Sequence, residues 1–110
     1  MRYLSSLATL ALLVLAGGAH AAGPPEFSLT IKNHQFQPSE LVVPANTRIR
    51  LRIANQDATP EEFESTDFSR ESLVLPGKTT VVFIGPLSTG SYHFFGDFHR
   101  STARGQLTVN

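Results

Sequence analysis

Cysteine and tryptophan are absent from the 110-residue chain, and its one methionine is the initiator. Without thiols no disulfide can form, so an oxidising compartment would give this small domain no crosslink. Any metal site would also have to do without a thiolate. An excess of charge of either sign is missing too: nine Lys and Arg balance nine Asp and Glu. A near-neutral chain gives no electrostatic reason to expect binding to nucleic acid or to bulk membrane. There are no internal repeats, and no segment has a helical period.

Long apolar runs are also lacking. The one candidate, Leu4 to Leu15, is broken by Ser5, Ser6 and Thr9 and is too short to span a bilayer. Arg2 ahead of it and Ala19-His20-Ala21 behind it complete the pattern of a secretory signal peptide over residues 1–21. No cysteine follows the apolar run, which excludes a lipoprotein anchor. Residues 22–110 are then expected as one exported domain without membrane insertion, periplasmic in a Gram-negative host.

What is present reads as strand. Phe27, Leu29 and Ile31 alternate with polar residues, and Ile49, Leu51 and Ile53 alternate with Arg48, Arg50 and Arg52. Leu41-Val42-Val43, Thr79 to Ile84, Ser91 to Phe95 and Gln106 to Val109 are further strand-like runs. Breakers separate them at Pro38, Pro44, Pro60, Pro76-Gly77, Gly85-Pro86, Gly90 and Gly96. Short strands at this spacing predict an all-β fold, an antiparallel Greek-key β-sandwich. Gln56 to Glu71 does not fit: it holds six of the nine acids and reads as a long acidic loop, with Phe63 and Phe68 pinning it to the core.

The stretch Gly90 to Gly105 organises the chemistry: an aromatic strand, a tight loop with Asp97 and His99, then the last strand. Together with Phe36-Gln37-Pro38, Leu41 to Thr47, Arg48 to Asn55 and Gly90-x-Tyr92-x-Phe94, it resembles the cupredoxin family of Greek-key copper proteins. In that family the last loop reads G-x-Y-x-F-x-C-x-x-H, with a Met-x-Gly a few residues on. Here Gly96 stands at the Cys position, His99 at the His position and Ala103 at the Met position, while a glutamate of Pro60-Glu61-Glu62 stands near the first His. A blue-copper centre needs the thiolate, two imidazoles and a weak thioether. The resemblance therefore implies the fold without blue copper.

Carboxylates and imidazole remain at that corner. The resemblance places the loop of Glu61, Glu62 and Glu64 beside Asp97 and His99, with His34 approaching from the first inter-strand loop. Oxygen and imidazole donors suit iron, manganese, copper(II) or zinc. An extended segment would put Glu62 and Glu64 on one face opposite Glu61, whereas a helical turn would pair Glu61 with Glu64. Each candidate also has a plain structural role: His34 could cap a turn, Asp97 could form one beside Gly96, and the arginines could be a solvated sheet face. His93, between the alternating Tyr92 and Phe94, is expected to point outward.

Residues 55–65, with Gly85-Pro86-Leu87 and Phe94 to His99, resemble more closely the periplasmic cupredoxin-like proteins of bacterial iron uptake. That resemblance implies a copper- or iron-binding accessory protein. Its partners would be a periplasmic iron-binding protein and a membrane iron permease, and it would assist ferrous iron oxidation or hand-over. The alternative is a metal-free docking module on the same scaffold. A hydrolase is poorly supported, because neither Ser65 nor Ser101 sits in a nucleophile elbow.

Overall fold

A computed structural model describes residues 23–110, so the signal-peptide expectation lies outside the described residues. Among the described residues, nine strands form two facing sheets. They are β1 (Glu26–Lys32), β2 (Gln35–Gln37), β3 (Glu40–Val43), β4 (Ile49–Asn55), β5 (Glu61–Ser65), β6 (Arg70–Val74), β7 (Thr79–Ile84), β8 (Gly90–Gly96) and β9 (Arg104–Val109). One sheet has the order β2-β1-β4-β7, the other β3-β9-β8-β5-β6. A 3₁₀ turn, Asp97–His99, links β8 towards β9. The all-β Greek-key sandwich expected from the strand pattern is the observed fold.

Two expectations need correction. The sheets are mixed rather than wholly antiparallel, because β1 runs parallel to β4 and β3 parallel to β9. The acidic segment is also not a long loop. Glu61–Ser65 and Arg70–Val74 pair as an antiparallel hairpin, and β5 also pairs with β8. In β5, Glu61, Phe63 and Ser65 point inward, while Glu62 and Glu64 are only half-buried. The period of two is there, but an inward glutamate replaces the apolar residue that would have revealed it.

The core follows from this alternation. Ile49, Leu51 and Ile53 of β4 are buried with Leu29 and Ile31 of β1. In the facing sheet, Phe63, Phe94, Leu107 and Val109 are buried. Each such side chain contributes roughly 1.5–3 kcal/mol on leaving water. Phe36, Phe63 and Phe94 interlock, with ring centroids 5.1, 5.3 and 6.1 Å apart. Such aromatic spacings favour edge-on and offset contact. Phe36 reaches them from β2, so the aromatic cluster joins the two sheets beneath the β1–β2 turn. Gly105 keeps this cluster compact, since a Cβ there would run into the Phe94 ring. Among the described residues, no helix is long and apolar enough to cross a membrane.

Candidate metal centre

The register Phe63↔Gly96 brings the start of β5 against the end of β8. Glu61 consequently lies under the Gly96–Ala103 loop, 1% exposed. That loop is closed by its own backbone: Gly96 N–H donates to the Ala103 carbonyl (2.8 Å), and Ala103 N–H donates to the His99 carbonyl (2.8 Å). A buried carboxylate is tolerated only when its oxygens are satisfied. Here Oε1 accepts from the backbone N–H of Phe98 (2.9 Å) and of Glu62 (3.0 Å). Oε2 lies 2.6 Å from His99 Nδ1.

This pairing defines what His99 can do. A carboxylate only accepts, so Nδ1 is the donor and the neutral ring carries its lone pair on Nε2. A carboxylate behind one ring nitrogen is the arrangement that orients a histidine for metal binding through the other. The His99 side chain is 24% exposed, so the ring lies at the protein surface. His34 stacks on it with centroids 3.6 Å apart and planes at 12°.

His34 occupies a two-residue hairpin turn between β1 and β2, where Lys32 pairs with Gln35. Asn33 and His34 both have positive φ, 54° and 57°. That is the left-handed conformation such turns demand, and asparagine tolerates it best among non-glycine residues. His34 is thus a residue of the turn itself rather than its cap, and its ring lies against His99.

Of the six candidate ligands, Glu61, His99 and His34 come together at this corner. Glu62, Glu64 and Asp97 form a second group on the outer face of the β5 sheet, each offering an oxygen within 4.8 Å of the others. The extended alternative for the glutamates is the one observed. Partial burial, followed by the repulsion of Glu71, side-chain hydrogen bonding with Glu64 and the repulsion of Asp97 and Glu64, raises the Glu62 carboxyl above its ordinary range. Asp97 is bound by the Arg100 guanidinium (Nε to Oδ1, 2.7 Å). The two groups lie on opposite faces of β5, and the six residues do not converge on one point.

His93, Ser65, Arg48 and Arg50 have structural partners. His93 points outward, and Asp67 accepts from its backbone N–H (2.7 Å) and lies 3.2 Å from its ring. Ser65 Oγ donates to the His93 carbonyl and accepts from Phe68 N–H, which pins the turn between β5 and β6. Arg48 lies 4.4 Å over the Phe83 ring, and Arg50 pairs with Glu26, so the arginine stripe is an exposed sheet face.

The fit of a blue-copper ion is decided at Gly96. A Cβ there would lie 2.5 Å from Glu61 Cδ and 2.7 Å from Ala103 Cβ. The Glu61 carboxylate fills the space into which a side chain at the thiolate position would grow. With no thiolate, no thioether and no room for a side chain at position 96, the residues do not fit a blue-copper centre.

A family model described as a cupredoxin-like domain matches residues 5–109, and the chain belongs to that family. An uncharacterised protein of Rickettsia prowazekii is 48% identical over 85 residues, covering 77% of this chain and 68% of that protein. Among solved structures, auracyanin A, a blue copper protein of Chloroflexus aurantiacus, matches with a TM-score of 0.69 at 19% identity. That match covers 80% of this chain and 100% of auracyanin A. A copper-binding protein in its apo form matches with a TM-score of 0.69 at 18% identity, covering 83% and 92%. The metal-binding domain of the Cu(I)-exporting ATPase of Streptococcus pneumoniae matches with a TM-score of 0.66 at 11% identity, covering 77% and 84%. At these identities the structural likenesses establish the fold alone.

Proposed function

We propose that this cupredoxin-like chain is an exported, non-blue metal-binding accessory protein of iron uptake, holding iron or copper at the His99–His34 corner. The observation that carries the proposal is the buried Glu61 carboxylate 2.6 Å from His99 Nδ1. It leaves Nε2 of a surface imidazole as the donor, with His34 stacked beside it. Glu61 acts from behind His99, since both its oxygens are occupied by protein donors.

That division of labour bears on the metal. A site built from imidazole is softer than one built from carboxylates, and it suits copper(II) and iron(II) better than manganese. The bound ion would supply Lewis acidity or one-electron chemistry. The chain's own residues orient the donor nitrogen and keep it at an open surface, which suits exchange with a partner. The resemblance to iron-uptake proteins supports a periplasmic iron-binding protein and a membrane permease as the partners for that exchange.

A metal-free docking module is the second reading, favoured by the carboxylate that fills the space at Gly96. Titration of the untagged protein, residues 22–110, with anaerobic Fe(II), then Cu(II) and Zn(II), separates the two. Stoichiometric binding that weakens at least tenfold in His99→Ala is the expected result. No uptake of any of these ions, with no change in melting temperature, would leave the docking module, because a ligand of the folded state must stabilise it.

A further inference from the structure

The turn that presents His34 is held from outside its own hairpin. Asp57, in the β4–β5 connection, accepts the backbone N–H of Asn33 on Oδ1 (2.8 Å) and that of His34 on Oδ2 (2.9 Å). These are the two turn residues with positive φ, a conformation that side chains other than glycine adopt only when the surroundings enforce it. One carboxylate thus satisfies both central N–H groups of a strained turn.

Asp57 is itself fixed. Its N–H donates to Asn55 Oδ1 (2.9 Å). Asn55 is 2% exposed, and its amide donates to the carbonyls of Thr59 (2.9 Å) and Val74 (3.1 Å). The same connection reaches the His34 ring, with Thr59 Oγ1 3.4 Å from Nε2. A rigid chain therefore runs from the buried end of β4 through Asn55 and Asp57 to the backbone of His34. Glu61 holds His99 at the start of the next strand.

We infer that Asp57 is a positioning residue of the His34–His99 corner: it sets the left-handed turn that lays His34 against His99. The inference deepens the metal-binding proposal and rests on it for its functional consequence. Its structural content concerns the metal-free protein and can be read there.

The experiment compares wild type, Asp57→Ala, His34→Ala and the double variant, with Asp57→Asn as the conservative change. In metal-free protein, the ring-proton NMR shifts of His34 and His99 report the stack. They are expected to move in Asp57→Ala, while the upfield methyl signals of the core stay in place and confirm the fold. With Cu(II) as the probe, Asp57→Ala is expected to weaken binding about tenfold. The double variant should bind no more weakly than His34→Ala, because both changes remove one contribution. Asp57→Asn keeps one acceptor and should fall between wild type and Asp57→Ala.

Unchanged ring shifts in Asp57→Ala would overturn the inference whether or not metal binds. Additive losses in the double variant would also overturn it, since they would assign Asp57 a general stabilising role. A wild-type protein that keeps the Asp57-dependent stack but takes up no metal would support the positioning role and sink the metal-binding proposal.

Discussion

Glu61 is the residue whose replacement tests the site most directly, and two substitutions act on it in different ways. Glu61→Ala removes the acceptor of three donors: the N–H groups of Glu62 and Phe98, and His99 Nδ1. A buried donor left without a partner costs roughly 1–3 kcal/mol. Two backbone donors lose their acceptor and the His99 ring, 24% exposed, can turn to solvent, so we expect a loss of about 3–4 kcal/mol, a large fraction of the roughly 5–15 kcal/mol typical of a domain. Glu61→Gln keeps the amide oxygen for the two backbone donors and fails only at His99, where an NH₂ now faces Nδ1. The ring can answer by moving its proton to Nε2, so stability should fall by only about 1–2 kcal/mol. Metal binding should fall much further, since the donor nitrogen is now protonated. Urea unfolding of metal-free protein gives the stability order, nitrogen-15 NMR of His99 gives the tautomer, and Cu(II) titration gives the affinity. A loss below about 1 kcal/mol in Glu61→Ala, or wild-type affinity in Glu61→Gln with the proton shown on Nε2, would refute the reasoning.

Gly96→Ala should destabilise by about 1–3 kcal/mol through overpacking, because the new Cβ meets the Glu61 carboxyl carbon at 2.5 Å. The cost should shrink in a Glu61→Ala background, and equal costs in the two backgrounds, measured by urea unfolding, would contradict the packing argument. The Glu62 carboxyl, raised first by partial burial and then by its acidic neighbours, opposes folding once ionised. Its unfavourable contribution is absent below the unfolded carboxyl range and complete above the folded value. Glu62→Gln should therefore stabilise at neutral pH and lose that advantage in acid, and an advantage that grows in acid would reverse the assignment. Asp67 is the opposite case, its carboxyl lowered by the backbone N–H and then the ring of His93. It stabilises above the unfolded carboxyl range and ceases to do so as pH falls through its lower folded value. Melting curves of Asp67→Asn should thus converge with wild type only in strong acid, and a constant gap across pH would count against it.

The strands that alternate cleanly could be read from residues alone. Ile49, Leu51 and Ile53 against three arginines can only be a one-sided strand, and the structure buries those three as expected. β5 was hidden because Glu61 and Ser65 occupy inward positions normally filled by apolar residues. The only local hint was Phe63 at the same parity. The parallel pairings β1–β4 and β3–β9 arise from long-range topology and leave no local mark. For the site, the resemblance pointed to His99, and His34 joined it. The division of the acids between two faces of β5 depends on strand register, which composition does not encode. Asp57 escaped notice because its partners are backbone N–H groups more than twenty residues away; Asn33 and His34, as consecutive turn residues, were the only visible trace.

The departures from the cupredoxin ligand pattern form a single packed unit. Glu61 reaches under the loop because position 96 has no side chain, and Ala103 crowds the same point. A Cβ at Gly96 would strike both neighbours at once. The glutamate, the glycine and the alanine are therefore sterically linked, and changing one alone leaves a clash or a gap. A cysteine at position 96 would place its Cβ against the Glu61 carboxyl, so a thiolate there is incompatible with Glu61 in this position. What the unit creates is an internal acceptor for His99 Nδ1, with Phe98 N–H fixed beside it. The buried position that a copper-binding fold would give to the ion is taken by a carboxylate–imidazole hydrogen bond. The other imidazole nitrogen, on a ring that is 24% exposed, is the donor on which the proposed metal site rests, at the rim of the fold rather than in its interior.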